Sequence, residues 1–191
     1  FEYWAGARAV AVQGTRAYLV SGGAGLRLLD ISNPASPREL GYYNMPSWSR
    51  DVDLVGNLAY VADAEYGLRV VDISDPASPR ELGFSYTSCF ANRLAVSGTR
   101  VYVADGWGGL SIMDVSNPSR PRRLGTYATS GYAYDVAVSG ALAYVTAYDT
   151  LEIVDAADPV NPYRIGFHST PSVAEGVVVS GTLAYVTSGT G

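Results

Sequence analysis

The chain has 191 residues, 48% of them apolar, with 21 glycines, 15 tyrosines and 18 acidic against 13 basic residues, every one of the latter arginine. The net charge of −5 disfavours nucleic-acid binding through phosphate neutralisation, and the single cysteine, Cys89, excludes an internal disulfide. No Cys/His cluster has metal-ligand spacing, no apolar run of about 18 residues is present for membrane insertion, and Phe1-Glu2-Tyr3-Trp4 is not a signal peptide, so no metal, cofactor or membrane-inserted segment is expected here.

Residues 1–7 read as a partial unit, because Phe1-Glu2-Tyr3 corresponds to Phe84-Ser85-Tyr86. The first complete repeat, about residues 8–48, carries Gly14, then Tyr18, the run Leu26-Arg27-Leu28-Leu29-Asp30, and the segment from Ser32 to Gly41. The second, about 49–90, returns each feature as Gly56, Tyr60, Leu68-Arg69-Val70-Val71-Asp72 and the segment from Ser74 to Gly83, which differs from 32–41 at one position in ten. The third, about 91–132, has Gly98, Tyr102 and Leu110-Ser111-Ile112-Met113-Asp114. The fourth, about 133–172, has Gly140, Tyr144 and Leu151-Glu152-Ile153-Val154-Asp155, and residues 173–191 supply Gly181 and Tyr185 of another partial unit. The tyrosines are 42, 42, 42 and 41 residues apart, which predicts one repeat array over residues 1–191.

Each unit reads as four short strands. In the fourth, Asp135–Val138 and Leu142–Thr146 flank Ser139-Gly140, a hairpin signal, and Leu151–Asp155 is split from a strand around Tyr163–Phe167 by Asp158-Pro159-Val160-Asn161-Pro162. No segment shows capped helical periodicity. Four antiparallel strands in about 42 residues predict an all-β fold, a β-propeller whose blades bury both faces against their neighbours. A parallel β-helix has shorter coils and needs no hairpin in every unit. The partial units at the two ends predict a segment of a longer array, and its phase fits a ring of roughly five to eight blades.

The third strands, Leu26–Asp30, Leu68–Asp72, Leu110–Asp114 and Leu151–Asp155, together with the following Ile-Ser-Asn/Asp-Pro and Arg-x-Leu-Gly elements, resemble the LVIVD-repeat family over essentially the whole chain. The fourth unit departs from the pattern at Ala156-Ala157 and Ile165. The resemblance implies bacterial or archaeal β-propellers, exported or displayed at the cell surface, and no defined reaction.

The repeated aspartates Asp30, Asp72, Asp114 and Asp155 are expected to accept backbone N–H bonds in the turns that follow. A calcium site from Asp72 and Asp75 has too few convergent oxygens. Gly25, Gly67 and Gly109 are expected to provide positive φ or close backbone approach, and the tyrosines to fill the space between sheets.

Chain direction places the uniform Gly-Thr and Asn-Pro-Ala-Ser-Pro turns on one face and the divergent loops on the other. A rigid scaffold presenting divergent loops is a route to binding. The candidate binding residues are Trp48, Arg50, Asp51, Asp63, Tyr66, Phe90, Arg93, Asp105, Trp107, Tyr132, Tyr134, Asp135 and Tyr148, with Trp4, Glu65 and Asp149 nearby. Asp51, Arg93 and Asp135 hold equivalent positions and are expected at the channel mouth. The aromatic and charged mixture suits a protein partner or assembly into a larger surface array, and also stacking on a glycan. No catalytic residue is assigned: His168 has no Ser or Cys partner motif, and Cys89 reads as an inert thiol beside Phe90. A hydrolase would draw on a loop carboxylate pair such as Asp63 and Asp105. The reading is therefore a non-catalytic interaction or structural module at the cell surface, with a carbohydrate-binding propeller as the alternative and a hydrolase behind it.

Overall fold

The computed structural model describes residues 6–189; the strand expected at Phe1-Glu2-Tyr3 and the loop residue Trp4 lie outside them. The described residues form strands and connecting loops, without a helix. Blade 1 is β1 (Ala9–Gln13), β2 (Arg16–Val20), β3 (Leu26–Asp30) and β4 (Arg38–Tyr43), and blade 2 is β5 (Asp51–Val55), β6 (Leu58–Ala62), β7 (Leu68–Asp72) and β8 (Arg80–Ser85). Blade 3 is β9 (Arg93–Ser97), β10 (Arg100–Ala104), β11 (Leu110–Asp114) and β12 (Arg122–Tyr127). Blade 4 is β13 (Ala133–Ser139), β14 (Leu142–Ala147), β15 (Thr150–Asp155) and β16 (Tyr163–Ser169), followed by the hairpin β17 (Ala174–Ser180) and β18 (Leu183–Ser188). Each sheet runs in chain order and is antiparallel throughout, as local hairpin connections require.

The core lies between the sheets. Tyr18, Val20, Leu26 and Leu28 of blade 1 pack on Val52, Ala59, Val61, Val71 and Ile73 of blade 2. Tyr60, Leu68 and Val70 meet Leu94, Val101, Val103 and Met113 in the same way, and Tyr102, Leu110 and Ile112 meet Val136, Ala143, Val145 and Val154. Strand alternation produces this arrangement: alternate residues of β2 and β3 face the next blade, and those between them face the preceding one. Each repeat tyrosine is thus covered by the blade after its own. Tyr18 and Tyr102 are 2% exposed, whereas Tyr185, with no sheet following it among the described residues, is 55% exposed.

Two motifs of the sequence acquire a reason here. Leu40, Leu82, Leu124 and Ile165 are bulged out of the fourth strand in all four blades, since β3, β7, β11 and β15 each skip one partner at the same register. In the first three blades the glycine after the bulge receives the next blade's turn: a Cβ on Gly41 would lie 2.3 Å from the Pro76 carbonyl oxygen, and one on Gly125 at 2.3 Å from that of Pro159. At the start of the third strand, Gly25, Gly67 and Gly109 combine φ of 73–74° with a backbone too close for any side chain, so both expected reasons operate together.

The aspartates that end the third strands cap the uniform turns. Asp30, Asp72, Asp114 and Asp155 accept from the N–H of Ser32, Ser74, Ser116 and Ala157, and the first three also pair with Arg38, Arg80 and Arg122 at 2.8–3.0 Å. The Ser32 bonds, with help from Arg38, hold Asp30 down to about 2. Asp75 is engaged by the Ala77 N–H in the same turn, so it and Asp72 serve the backbone.

Candidate functional site

The variable face is built from the β2–β3, β6–β7, β10–β11 and β14–β15 loops together with the connections between blades. Backbone bridges join the two sets at Gly22–Ser49, Ala64–Ala91 and Gly106–Ala133, so each loop is tied to the start of the following blade. Buried carboxylates fasten the interblade connections from below. Asp105 accepts from Ser88 N–H at 2.7 Å, Cys89 N–H at 3.1 Å and the Ser111 hydroxyl at 3.3 Å. Asp63 accepts from the Ser49 hydroxyl at 3.3 Å and lies 3.8 Å from buried Arg69, while burial pushes its carboxyl up. In blade 4 the loop position is Ala147, and the carboxylate comes from Glu152 of β15, which accepts from Ser130 N–H at 2.8 Å and from the Tyr127 hydroxyl. Burial, first, and this bond push the Tyr127 phenol up to about 12. Asp63 and Asp105 are both fully enclosed, which removes them as a solvent-accessible acid pair.

Around the axis the first strands stand side by side, and each has one free edge. Aspartates of one blade satisfy the edge of the next: Asp51 accepts from Leu94 N–H at 2.9 Å, Asp53 from Val96 N–H at 3.0 Å and Asp135 from Val177 N–H at 2.9 Å. Burial pushes Asp51 up to about 6 and moves Asp135 in the same direction. Asp51 and Asp135 are therefore at the channel mouth but turned into the joint between blades, where they substitute for missing ladder partners.

Other residues where these strands begin face the opening instead. Arg8, Arg50, Asn92, Tyr134 and Glu175 each lie ten positions before a repeat tyrosine, and with Arg93 they line one cavity of about 140 Å³. Arg50 donates to Asn92 Oδ1 at 3.1 Å and sits over the Phe90 ring at 5.8 Å, and Arg93 donates to the Arg50 carbonyl at 2.7 Å. Asn92 closes the set by donating to the Ala133 carbonyl at 2.9 Å and accepting from the Tyr132 hydroxyl at 3.3 Å. From this opening an aromatic ridge runs outward: Tyr134 packs on Tyr132 with ring centroids 4.9 Å apart, and Tyr132 meets Trp107 edge-on at 5.5 Å. Gly106 leaves room for the Tyr132 ring, since a Cβ there would lie 2.9 Å from it. Trp107, at the outer end, is 76% exposed.

The structure thus brings together Arg50, Phe90, Arg93, Trp107, Tyr132 and Tyr134. Tyr66 sits apart, in a cluster with Arg69, Phe84 and Tyr86 at the outside of blade 2, and Trp48 and Tyr148 are exposed on separate loops. Arg8, Asn92 and Glu175 join the site without having been singled out in the sequence; counting back from the tyrosines is the signal that finds them. Cys89 is partly buried and His168 exposed, and among the described residues no three His, Cys, Asp or Glu side chains are grouped as metal ligands. Among the described residues no helix is long and apolar enough to cross a membrane.

A family profile described as LVIVD repeat matches residues 6–45, 48–87, 90–129 and 130–170. No curated protein sequence matches the chain. Solved structures share the fold: the computationally designed Ika8 protein, at TM-score 0.78 and 12% identity, over 95% of this chain and 55% of that one. The computationally designed Ika4 protein is similar at TM-score 0.67 and 13% identity, over 86% of this chain and 94% of that one. A functionally unknown protein from Desulfotomaculum acetoxidans DSM 771 is similar at TM-score 0.73 and 14% identity, over 95% of this chain and 62% of that one. The chain therefore spans little more than half the length of the designed Ika8 protein.

Proposed function

The chain belongs to the LVIVD-repeat family and has a β-propeller fold, and from that premise we propose that it is a non-catalytic recognition module of an exported or surface-displayed bacterial or archaeal protein, holding a protein partner on its variable face. The observation that carries this is the continuous ridge Trp107–Tyr132–Tyr134 leading to the arginines of the axial opening. Aromatic rings and arginine are the side chains that anchor protein interfaces, the rings because they bury large areas at small entropic cost and arginine because its planar fork offers several donors at once. The face is also pre-organised: Tyr132 is fixed by Asn92, by its two ring contacts and by the bare backbone of Gly106, so little ordering cost falls on binding.

The test is capture of partners from the source organism's surface fraction, followed by affinity measurement with the purified partner. Trp107→Ala combined with Tyr134→Ala should weaken binding by at least about tenfold while the melting temperature stays within a few degrees. Undiminished affinity in a folded double variant overturns this face as the interface. The exposed Trp107, braced edge-on by Tyr132, also suits stacking on a sugar ring. Saturable enrichment on a glycan array, lost with Trp107→Ala, would replace the protein-partner reading with that one.

A further inference from the structure

One of the variable repeat positions brings all its side chains to one place. Where the units otherwise keep tyrosine, glycine or aspartate, the residue ten places before each tyrosine differs among units: Arg8, Arg50, Asn92, Tyr134, Glu175. All five converge on the same axial cavity, joined by Arg93 from the adjacent position. The lining therefore carries three guanidinium groups against a single carboxylate, in a chain whose net charge is −5.

The donors there are incompletely used. Arg50 spends Nη1 on Asn92, and its Nε–H is buried with no hydrogen-bond partner among the described residues. A buried, unpaired donor of a charged group is costly and calls for an acceptor. The Arg8 guanidinium has no partner among the described residues, its backbone N–H alone being bonded, to Val20. Of the acids nearby, Asp51 lies 3.8 Å from the Arg93 guanidinium and accepts from Leu94 N–H with its other oxygen, and Asp135 accepts from Val177 N–H, so Arg93 is partly engaged while Arg8 and Arg50 are not ion-paired among the described residues. Glu175 contributes a carboxylate to the lining itself. A cavity of about 140 Å³ is below the range of roughly 300–1,000 Å³ that holds drug-sized ligands; it has room for one small oxyanion head.

We propose that the axial opening is a binding site for a small oxyanion, a carboxylate or phosphate group, with Arg50 as the central donor, Arg8 and Arg93 as flanking charges, and Asn92 and Tyr134 as polar walls. Guanidinium groups match both oxyanions through their forked donors. Glu175 competes with the ligand for the same arginines. This inference goes beyond the protein-partner reading, since free small anions suffice to examine it.

The experiment is titration of the full chain with inorganic phosphate and, separately, succinate at low ionic strength, followed by calorimetry and by the rise in melting temperature that ligand binding produces. One or both should bind saturably; succinate alone identifies a carboxylate site and phosphate alone a phosphate site. Arg50→Gln should weaken binding by about tenfold or more, whereas Glu175→Gln, which removes the competing carboxylate, should tighten it. Arg8→Gln, at an exposed position remote from the core, gives a weakened binder whose fold is not in question. The proposal is overturned if neither anion binds saturably, if sodium chloride at equal ionic strength stabilises the protein as much, or if Arg50→Gln and Arg8→Gln both bind as the parent does.

Discussion

Gly125 and Gly166 occupy the same place in consecutive repeats, after the same bulge and in the same strand, and replacing each with alanine should have opposite outcomes. A Cβ on Gly125 would lie 2.3 Å from the Pro159 carbonyl oxygen and 2.8 Å from that of Val160, both rigid backbone of the blade 4 turn. Restoring ordinary contact requires the two blades to separate locally by roughly 1 Å, the kind of overpacking that costs about 1–3 kcal/mol, and the upper part of that range applies because backbone cannot swing aside. For a chain of this size a loss of about 2–3 kcal/mol lowers Tm by about 4–12 °C. A Cβ on Gly166 meets only Ile153 Cδ1, at 3.9 Å. There the substitution carries no steric cost, and the restricted unfolded chain should give a change from nil to a gain of about 0.5–1 kcal/mol. Urea unfolding of the two single variants measures the contrast. Equal destabilisation by both would refute the interblade explanation and assign the glycine to its own bulge.

Two further outcomes follow from the same geometry. Tyr102→Ala, which empties a site that is 2% exposed, should cost about 3–5 kcal/mol, whereas Tyr185→Ala, 55% exposed, should stay within about 0.5 kcal/mol, both by urea unfolding. Burial holds the folded Asp51 carboxyl at about 6 against 3.8 ordinarily, so between those values the folded state binds the extra proton and stability falls as pH rises, by up to roughly 2–3 kcal/mol. Asp51→Asn keeps an acceptor for the Leu94 N–H and should flatten the profile between pH 4 and 7; an unchanged slope in the variant would show that Asp51 does not set it.

The scaffold was legible because it is written several times over. Tyr18, Tyr60 and Tyr102 have the same spacing in sequence and the same burial in space, and the aspartates after the third strands do in each blade what an aspartate before a turn does anywhere. The site was legible only in outline. Arg50, Arg93, Tyr132 and Tyr134 stood out by residue type, but Asn92 and Glu175 look like ordinary loop residues until their register reveals five side chains aimed at one axis. The acids Asp63 and Asp105 misdirect for a physical reason: a carboxylate in a loop reads as exposed, yet here the loop folds over it and supplies the hydrogen bonds that make its burial tolerable. Glu152 was hidden for the converse reason, lying in a strand while serving a connection that Asp105 serves from a loop in the blade before.

Each sheet has a tyrosine-bearing front and a back of valine and alanine, so neighbours fit only front to back. Two fronts would collide ring against ring, and two backs would enclose a void of tyrosine size. The array is consequently vectorial, like a filament with distinguishable ends. Copying one whole unit in phase would insert a module that both flanking sheets accept unchanged, with its own opening residue free to drift toward new chemistry at the axis.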